Sequence, residues 1–188
     1  MTADEIVGGI LQREGGWRDA KTRPDGTVDP PTNRGITLPT LQAYYKQYVD
    51  ASVVVTDANL RELSTDLATR IYTSMFVDAP GFTPANIPFE PLRVQLIDFG
   101  VNSGPARAVR WLQRVLRLVP TGRLDQPTVV TLGRYIPMMD GHGGAILHDA
   151  LVAARSYMID QLEDHGQLRS ADEEGVESRA LSFFLAKP

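Results

Sequence analysis

Apolar residues recur at intervals of three and four along most of this chain, while alternation with a period of two is scarce, so the pattern predicts helices almost throughout. Ile6, Ile10 and Leu11 mark the apolar face of a first helix over residues 3–14, stopped by Gly15-Gly16. Thr37 is placed to cap a second helix carrying Leu38, Leu41, Tyr44, Tyr45 and Tyr48, with Pro39 in its tolerant first turn. Asp57 and Ser64 read as caps of two further helical pieces, the second bearing Leu67, Ala68, Ile71, Tyr72, Met75 and Phe76. VVVT, residues 53–56, predicts a short strand or an extended link. Residues 78–91 hold four prolines and a glycine and predict a linker. Beyond it, Leu92, Leu96, Ile97 and Phe99 define a helix over 91–101 that breaks at Asn102-Ser103-Gly104. Pro105 then opens another through Val109, Leu112 and Leu116. Asp125 is the expected cap after the PTGRLDQPT turn. The longest helix, over 145–163, follows the DGHGG loop with Leu147, Leu151, Ala154, Tyr157, Met158 and Leu162. From Gly166 the tail is acidic and weakly patterned until ALSFFLA, and no internal repeat is visible.

The long exception is residues 18–35, RDAKTRPDGTVDPPTNRG, a polar loop with room for a small hairpin around Asp25-Gly26. Loops of this length are more often functional than passive. A mainly α domain of two lobes is therefore expected, with residues 1–88 as an N-terminal lobe and 89–188 as a C-terminal helical lobe.

Composition narrows what such a fold can do. At 188 residues, 43% apolar and 22% charged, the chain can bury a sizeable core. It has no cysteine, which excludes disulfides and thiolate metal sites. The net charge of −4 argues against nonspecific nucleic-acid binding, and Arg107, Arg110, Arg114 and Arg117 read mainly as the solvated face of one helix. No apolar run approaches the ~18 residues of a membrane span. The acidic N-terminus, MTADEIVGGI, lacks the pattern of a signal peptide. The expectation is a protein made in the cytoplasm, not inserted in a membrane, and monomeric as an isolated domain.

The chemistry begins at LQREGGW. Glu14 falls four residues after Ile10 and three after Leu11, sharing or bordering their apolar face at the very end of the helix. The negative pole of the macrodipole and burial beside Trp17 would both disfavour the carboxylate form. A glutamic acid that keeps its proton is what a general acid needs to protonate a glycosidic oxygen. Spacing alone favours a surface glutamate that merely flanks a Gly-Gly cap. The following loop supplies Asp19, Asp25, Asp29, Thr32 and Asn33, polar groups able to hold a water or a sugar opposite it.

REGGW, then TNRGIT, then DFGVNSGPARAVRWLQ resemble, in that order, the signatures of glycoside hydrolase family 108, muramidases with a lysozyme-like helical fold. IYTSMF and GRLDQPTVVTL also fall at the family's positions, so the likeness extends over roughly residues 3–165. It implies Glu14 as catalytic acid, and cleavage of the β-1,4 bond between N-acetylmuramic acid and N-acetylglucosamine in peptidoglycan, without metal or cofactor. It also implies a peptidoglycan-binding second half. The chain departs from the family in carrying Asp29-Pro30-Pro31 where Gly-Gly is common before the matched Thr32, and in lacking an aromatic C-terminal ending. Asp29 is the first choice for a carboxylate assisting Glu14 and Asp25 the second, either being otherwise a turn residue. Trp17, Thr32, Asn33 and Thr37 are candidate substrate contacts. So is Asn102, at the helix break, with Asp98 four residues earlier as its partner or as a buried polar anchor.

His142 and His148 flank a glycine loop, but no third ligand falls on a shared face, which argues against a metal site. The tyrosines 44, 45 and 48 read as core and rim. The rival expectation is a noncatalytic wall-binding or structural module of a phage tail or secretion machine. In either case the site of action would be the cell wall or periplasm, reached by holin release, tail delivery or specialised export.

Overall fold

The computed structural model describes residues 1–23 and 26–164; Asp25, Gly166 and the ALSFFLA run lie outside them. The chain is mainly α and divides into two compact units, one spanning Met1–Ala79 and one beginning at Pro80, inside the proline-rich segment.

The first unit is built on α1 (Ala3–Glu14). Thr2 and Glu5 form a reciprocal capping box, Glu5 N–H donating to Thr2 Oγ1 at 3.2 Å and Thr2 N–H to Glu5 Oε2 at 2.7 Å. Ile6, Val7, Ile10 and Leu11 are buried against α4 (Thr65–Tyr72) and the π-helical turn after it, Thr73–Asp78. Each such aliphatic burial is worth roughly 1.5–3 kcal/mol, which fixes the axis of α1 and therefore its C-terminal end.

The loop after α1 holds more strand than the single hairpin expected. Five two-residue strands, β1 (Trp17–Arg18), β2 (Lys21–Thr22), β3 (Val28–Asp29), β4 (Thr32–Asn33) and β5 (Ile36–Thr37), form two antiparallel sheets, β1-β4-β5 and β2-β3. Segments this short carry no readable alternation. β4 and β5 pair Asn33 with Ile36, leaving Arg34 (φ 54°) and Gly35 (φ 74°) as a two-residue turn with both residues left-handed, the geometry that matches the twist of a hairpin.

α2 (Leu38–Tyr44) is capped by Thr37 as expected and runs into a π-helical turn, Tyr45–Val49. Tyr44 is buried and stacks on the half-exposed Tyr48, ring centroids 5.3 Å apart, matching a core-and-rim role. VVVT is an unpaired link in which Thr56, one residue before the expected Asp57, caps α3 (Asp57–Arg61). Ser64 caps α4, accepting from Leu67 N–H at 3.2 Å.

In the second unit α5 (Glu90–Ser103) packs against α6 (Pro105–Val115) and α8 (Gly143–Asp164). Residues 95–100 of α5 are all buried, so this is a central helix surrounded by protein and not the amphipathic one its leucines suggested. Its polar side chains must consequently find partners inside. Gln95 does so by donating to His148 O (3.2 Å) and accepting from Val152 N–H (2.9 Å) on α8. On α6 the buried Gln113 donates to Thr121 Oγ1, Arg123 O and Thr128 Oγ1 and accepts from Gly122 N–H. It thereby organises the turn into α7 (Gln126–Tyr135), which Asp125 caps.

Candidate active site

Glu14 is the last residue of α1 and is half-buried. Its carbonyl oxygen, an orphan acceptor at the helix end, receives Arg18 Nη2 at 3.0 Å, while Gly15 N–H caps Leu11 O at 3.3 Å. Gly15-Gly16 then turns the chain into β1, and β1 recruits β4 as its neighbour. The consequence is that the tip of the β4–β5 hairpin arrives over the Glu14 side chain.

Gly35 is the contact. A side-chain carbon there would lie 2.9 Å from Glu14 Oε2, 3.0 Å from its Cγ and 2.6 Å from the Tyr72 hydroxyl. The carboxyl of Glu14 and the phenol of Tyr72 thus converge on one point, and only glycine can sit between them. Tyr72, buried on α4, donates from Oη to Arg34 O at 3.0 Å, and Arg34 N–H donates to Gly16 O at 3.2 Å. These two bonds pin the turn from both sides and hold a left-handed arginine in place. The sequence placed Tyr72 on an apolar helix stripe. Two weak signals marked it: a hydroxyl among aliphatic residues, and its place in the IYTSMF stretch of the family resemblance.

Trp17 has other company. Arg61 Cζ stands 4.1 Å from the centre of its ring, its Nε1 donates to Asp19 Oδ1 at 2.8 Å, and Arg61 reaches the same oxygen at 3.7 Å. Gly35 and the Tyr72 hydroxyl are among the groups set close to the Glu14 carboxyl. One face of Trp17 is occupied by Arg61, so a sugar stacking on the indole would use the other.

Asn33, a candidate substrate contact, also holds the hairpin in place. Its amide is buried and donates to Leu60 O and Arg61 O, both at 3.0 Å, satisfying the last carbonyls of α3 and fastening the hairpin to that helix. Thr37 spends its hydroxyl on Thr40 as a helix cap. Thr32, half-buried on β4, is paired between Arg18 and Thr37. Asp29 sits on the separate β2–β3 hairpin, where Arg23 Nε bonds both its oxygens (2.8 and 2.9 Å) and Nη2 stands 2.7 Å from Oδ1.

Asp98 is both the partner of Asn102 and a buried polar anchor, the two roles its position allowed. Only 1% exposed, it pairs with Arg155 Nη1 at 3.0 Å and accepts from Asn102 Nδ2 at 3.2 Å, within the second unit. The central burial of α5 makes it an anchor, and Asn102, itself exposed, is the partner expected from their spacing. His148 is buried with Nδ1 2.9 Å from Asp149 Oδ1. Among the described residues no three histidine, aspartate or glutamate side chains are grouped so as to hold a metal ion, and no helix is long and apolar enough to cross a membrane.

An acidic side chain set at a helix end, beneath a tight hairpin in a mainly helical chain, is an arrangement suited to glycosidic bond chemistry. The profile of glycosyl hydrolase 108 matches residues 7–104, more than half of the chain, and the protein belongs to that family; it is a glycosidase. The matched span contains Glu14, the hairpin, Tyr72, Asp98 and Asn102. Among solved structures, that of Brucella abortus SagA is similar, with 26% sequence identity, a TM-score of 0.68, and coverage of 97% of this chain and 95% of that one. No curated protein matches.

Proposed function

We propose that this glycosidase is a muramidase, cutting the β-1,4 bond between N-acetylmuramic acid and N-acetylglucosamine in peptidoglycan with Glu14 as general acid. The observation that carries the reading is the seating of Glu14, half-buried at the end of α1 with Gly35 and the Tyr72 hydroxyl against it, in a chain of family 108. A proton passes from the Glu14 carboxyl to the leaving oxygen as positive charge grows on the muramic ring. A rigid seat matters because general-acid catalysis requires the donor within hydrogen-bond reach of that oxygen.

Asp29 is the proposed assisting carboxylate, ahead of Asp25. A water between the two carboxyl groups gives inversion and needs a separation of about 6.5–9.5 Å. Inversion is the outcome proposed here, since no carboxylate follows Glu14 at a tightly fixed distance.

Digestion of purified cell walls with mass analysis of the soluble products tests both bond and residue. Products ending in reducing N-acetylmuramic acid are expected, and Glu14→Gln is expected to abolish them. Persistence of product release in that variant, or reducing N-acetylglucosamine ends from the native protein, overturns the reading.

A further inference from the structure

Five of the chain's 19 basic residues, and none of its 23 acidic ones, fall between Phe99 and Leu124. Four of them, Arg107, Arg110, Arg114 and Arg117, lie at spacings of three and four on and just past α6, opposite the buried Ala108, Val109 and Leu112. All four are exposed. Among the described residues none of them has a carboxylate partner, whereas Arg23, Arg61, Arg93 and Arg155 all do. Arg110 lies across Gly122, beside the exposed Arg123. The nearest carboxylate in sequence, Asp125, is engaged by the hydroxyls of Thr121 and Thr128. In a protein of net charge −4 this is a segregated positive face about 15 Å long. It lies beyond residue 104, outside the span that matches the family.

The rim of this face is apolar. Half-buried Trp111 carries Arg114 on its ring, Cζ 4.7 Å from the centroid, and meets Tyr157 edge-on at 6.4 Å. Tyr157 is 56% exposed, and Val119, two residues after Arg117, is 77% exposed. A nucleic acid would engage the arginines and stack on Trp111 but offers nothing to an exposed aliphatic side chain. A bilayer interface takes all three: phosphates for the guanidiniums, headgroup depth for indole and phenol, and the acyl boundary for valine.

We propose that the arginine face of α6, with Trp111, Tyr157 and Val119 at its edge, docks peripherally on anionic phospholipid membranes. The acidic remainder does not forbid this, because attraction at the surface falls off within a Debye length of about 8–10 Å and is felt only by the face that approaches.

The test is cosedimentation of the full chain with vesicles of pure phosphatidylcholine and of phosphatidylcholine with a third phosphatidylglycerol, alongside duplex DNA in a mobility assay. Binding to the anionic vesicles alone is expected, weakening with salt. Each arginine is worth roughly fivefold, so neutralising Arg107, Arg110, Arg114 and Arg117 to Gln together should lower the affinity on the order of 10²–10³-fold. Thermal melting of that variant verifies the fold, since all four side chains are exposed. Val119→Ser should weaken vesicle binding without touching charge. Equal binding to both vesicle types, no vesicle binding, or unchanged binding by the quadruple variant overturns the proposal. DNA binding lost in the quadruple variant, without vesicle binding, reassigns the face to nucleic acid.

Discussion

Gly35→Ala is the sharpest probe of how Glu14 is held. The native residue has φ 74°, where an L side chain costs roughly 1–2 kcal/mol. The new methyl would also sit 2.6 Å from Tyr72 Oη and 2.9 Å from Glu14 Oε2, overpacking of a kind that costs about 1–3 kcal/mol. Together these predict a loss of about 2–5 kcal/mol. Relief comes at the weaker of the two neighbours. Tyr72 is 2% exposed, with its hydroxyl tied to Arg34 O, whereas Glu14 is half-buried at a helix end, so the carboxyl is the group that moves. A displacement near 1 Å is enough to lower turnover by about a hundredfold.

Gly26→Ala provides the comparison, because Gly26 has φ 84° but nothing within 4 Å of the new carbon. It should share the backbone penalty and keep its activity. Both variants are assayed by urea melts and by release of reducing ends from cell walls at a temperature where each is folded. Tyr72→Phe in the Gly35→Ala background removes one clashing atom and should restore part of the stability, a coupling read from the double-mutant cycle. If Gly35→Ala retains activity within twofold of Gly26→Ala while Glu14→Gln is inactive, the hairpin tip does not position the acid.

Three further outcomes follow from the same geometry. Asp98→Asn removes the buried carboxylate that faces Arg155 at 3.0 Å and should destabilise by about 3–5 kcal/mol in denaturant melts; a substrate-binding role would instead raise KM at unchanged stability. Asn33→Ala removes both amide bonds that fasten the hairpin to the Leu60 and Arg61 carbonyls and should cost about 1–3 kcal/mol, seen as a lowered urea midpoint, with turnover falling as the hairpin loosens over Glu14. Asp125 has its carboxyl held below the usual aspartate range, first by the Thr128 hydroxyl and then by that of Thr121. Its stabilisation is therefore full above the ordinary aspartate pKa and lost as pH falls through the lowered folded value. Asp125→Ala should lower Tm at neutral pH, with the gap to the native protein closing in strong acid.

What the sequence made legible was local. Thr37, Ser64 and Asp125 were readable as caps because each bonds a backbone N–H three residues on, and the end of α1 was readable because Gly15-Gly16 follows it. Tertiary choices were not. Nothing near Glu14 in the chain points to Tyr72, whose spacing fits a core stripe, and two-residue strands are too short for a periodicity to register. The choice between the two roles open to Asp98 was hidden for the same reason. Its helix shows leucines on one face, and only the packing of α6 and α8 reveals that the other face is buried as well.

Glu14 and Asp98 show why burial alone does not mark a functional carboxylate. Both end up against protein, and both were candidates on sequence. Asp98 is sealed at 1% exposure with a guanidinium 3.0 Å away, so no substrate atom can approach its oxygens, and removing it exposes a stability defect. Glu14 keeps solvent access, and its neighbours include a hydroxyl and a glycine that admits no side chain. A proton donor must be constrained yet reachable, and a structural anchor need only be neutralised. The turn that seats Gly35 against Glu14 is left-handed at both of its residues, and bonds to Gly16 and from Tyr72 hold it there, so the fold fixes the backbone that confines the carboxyl.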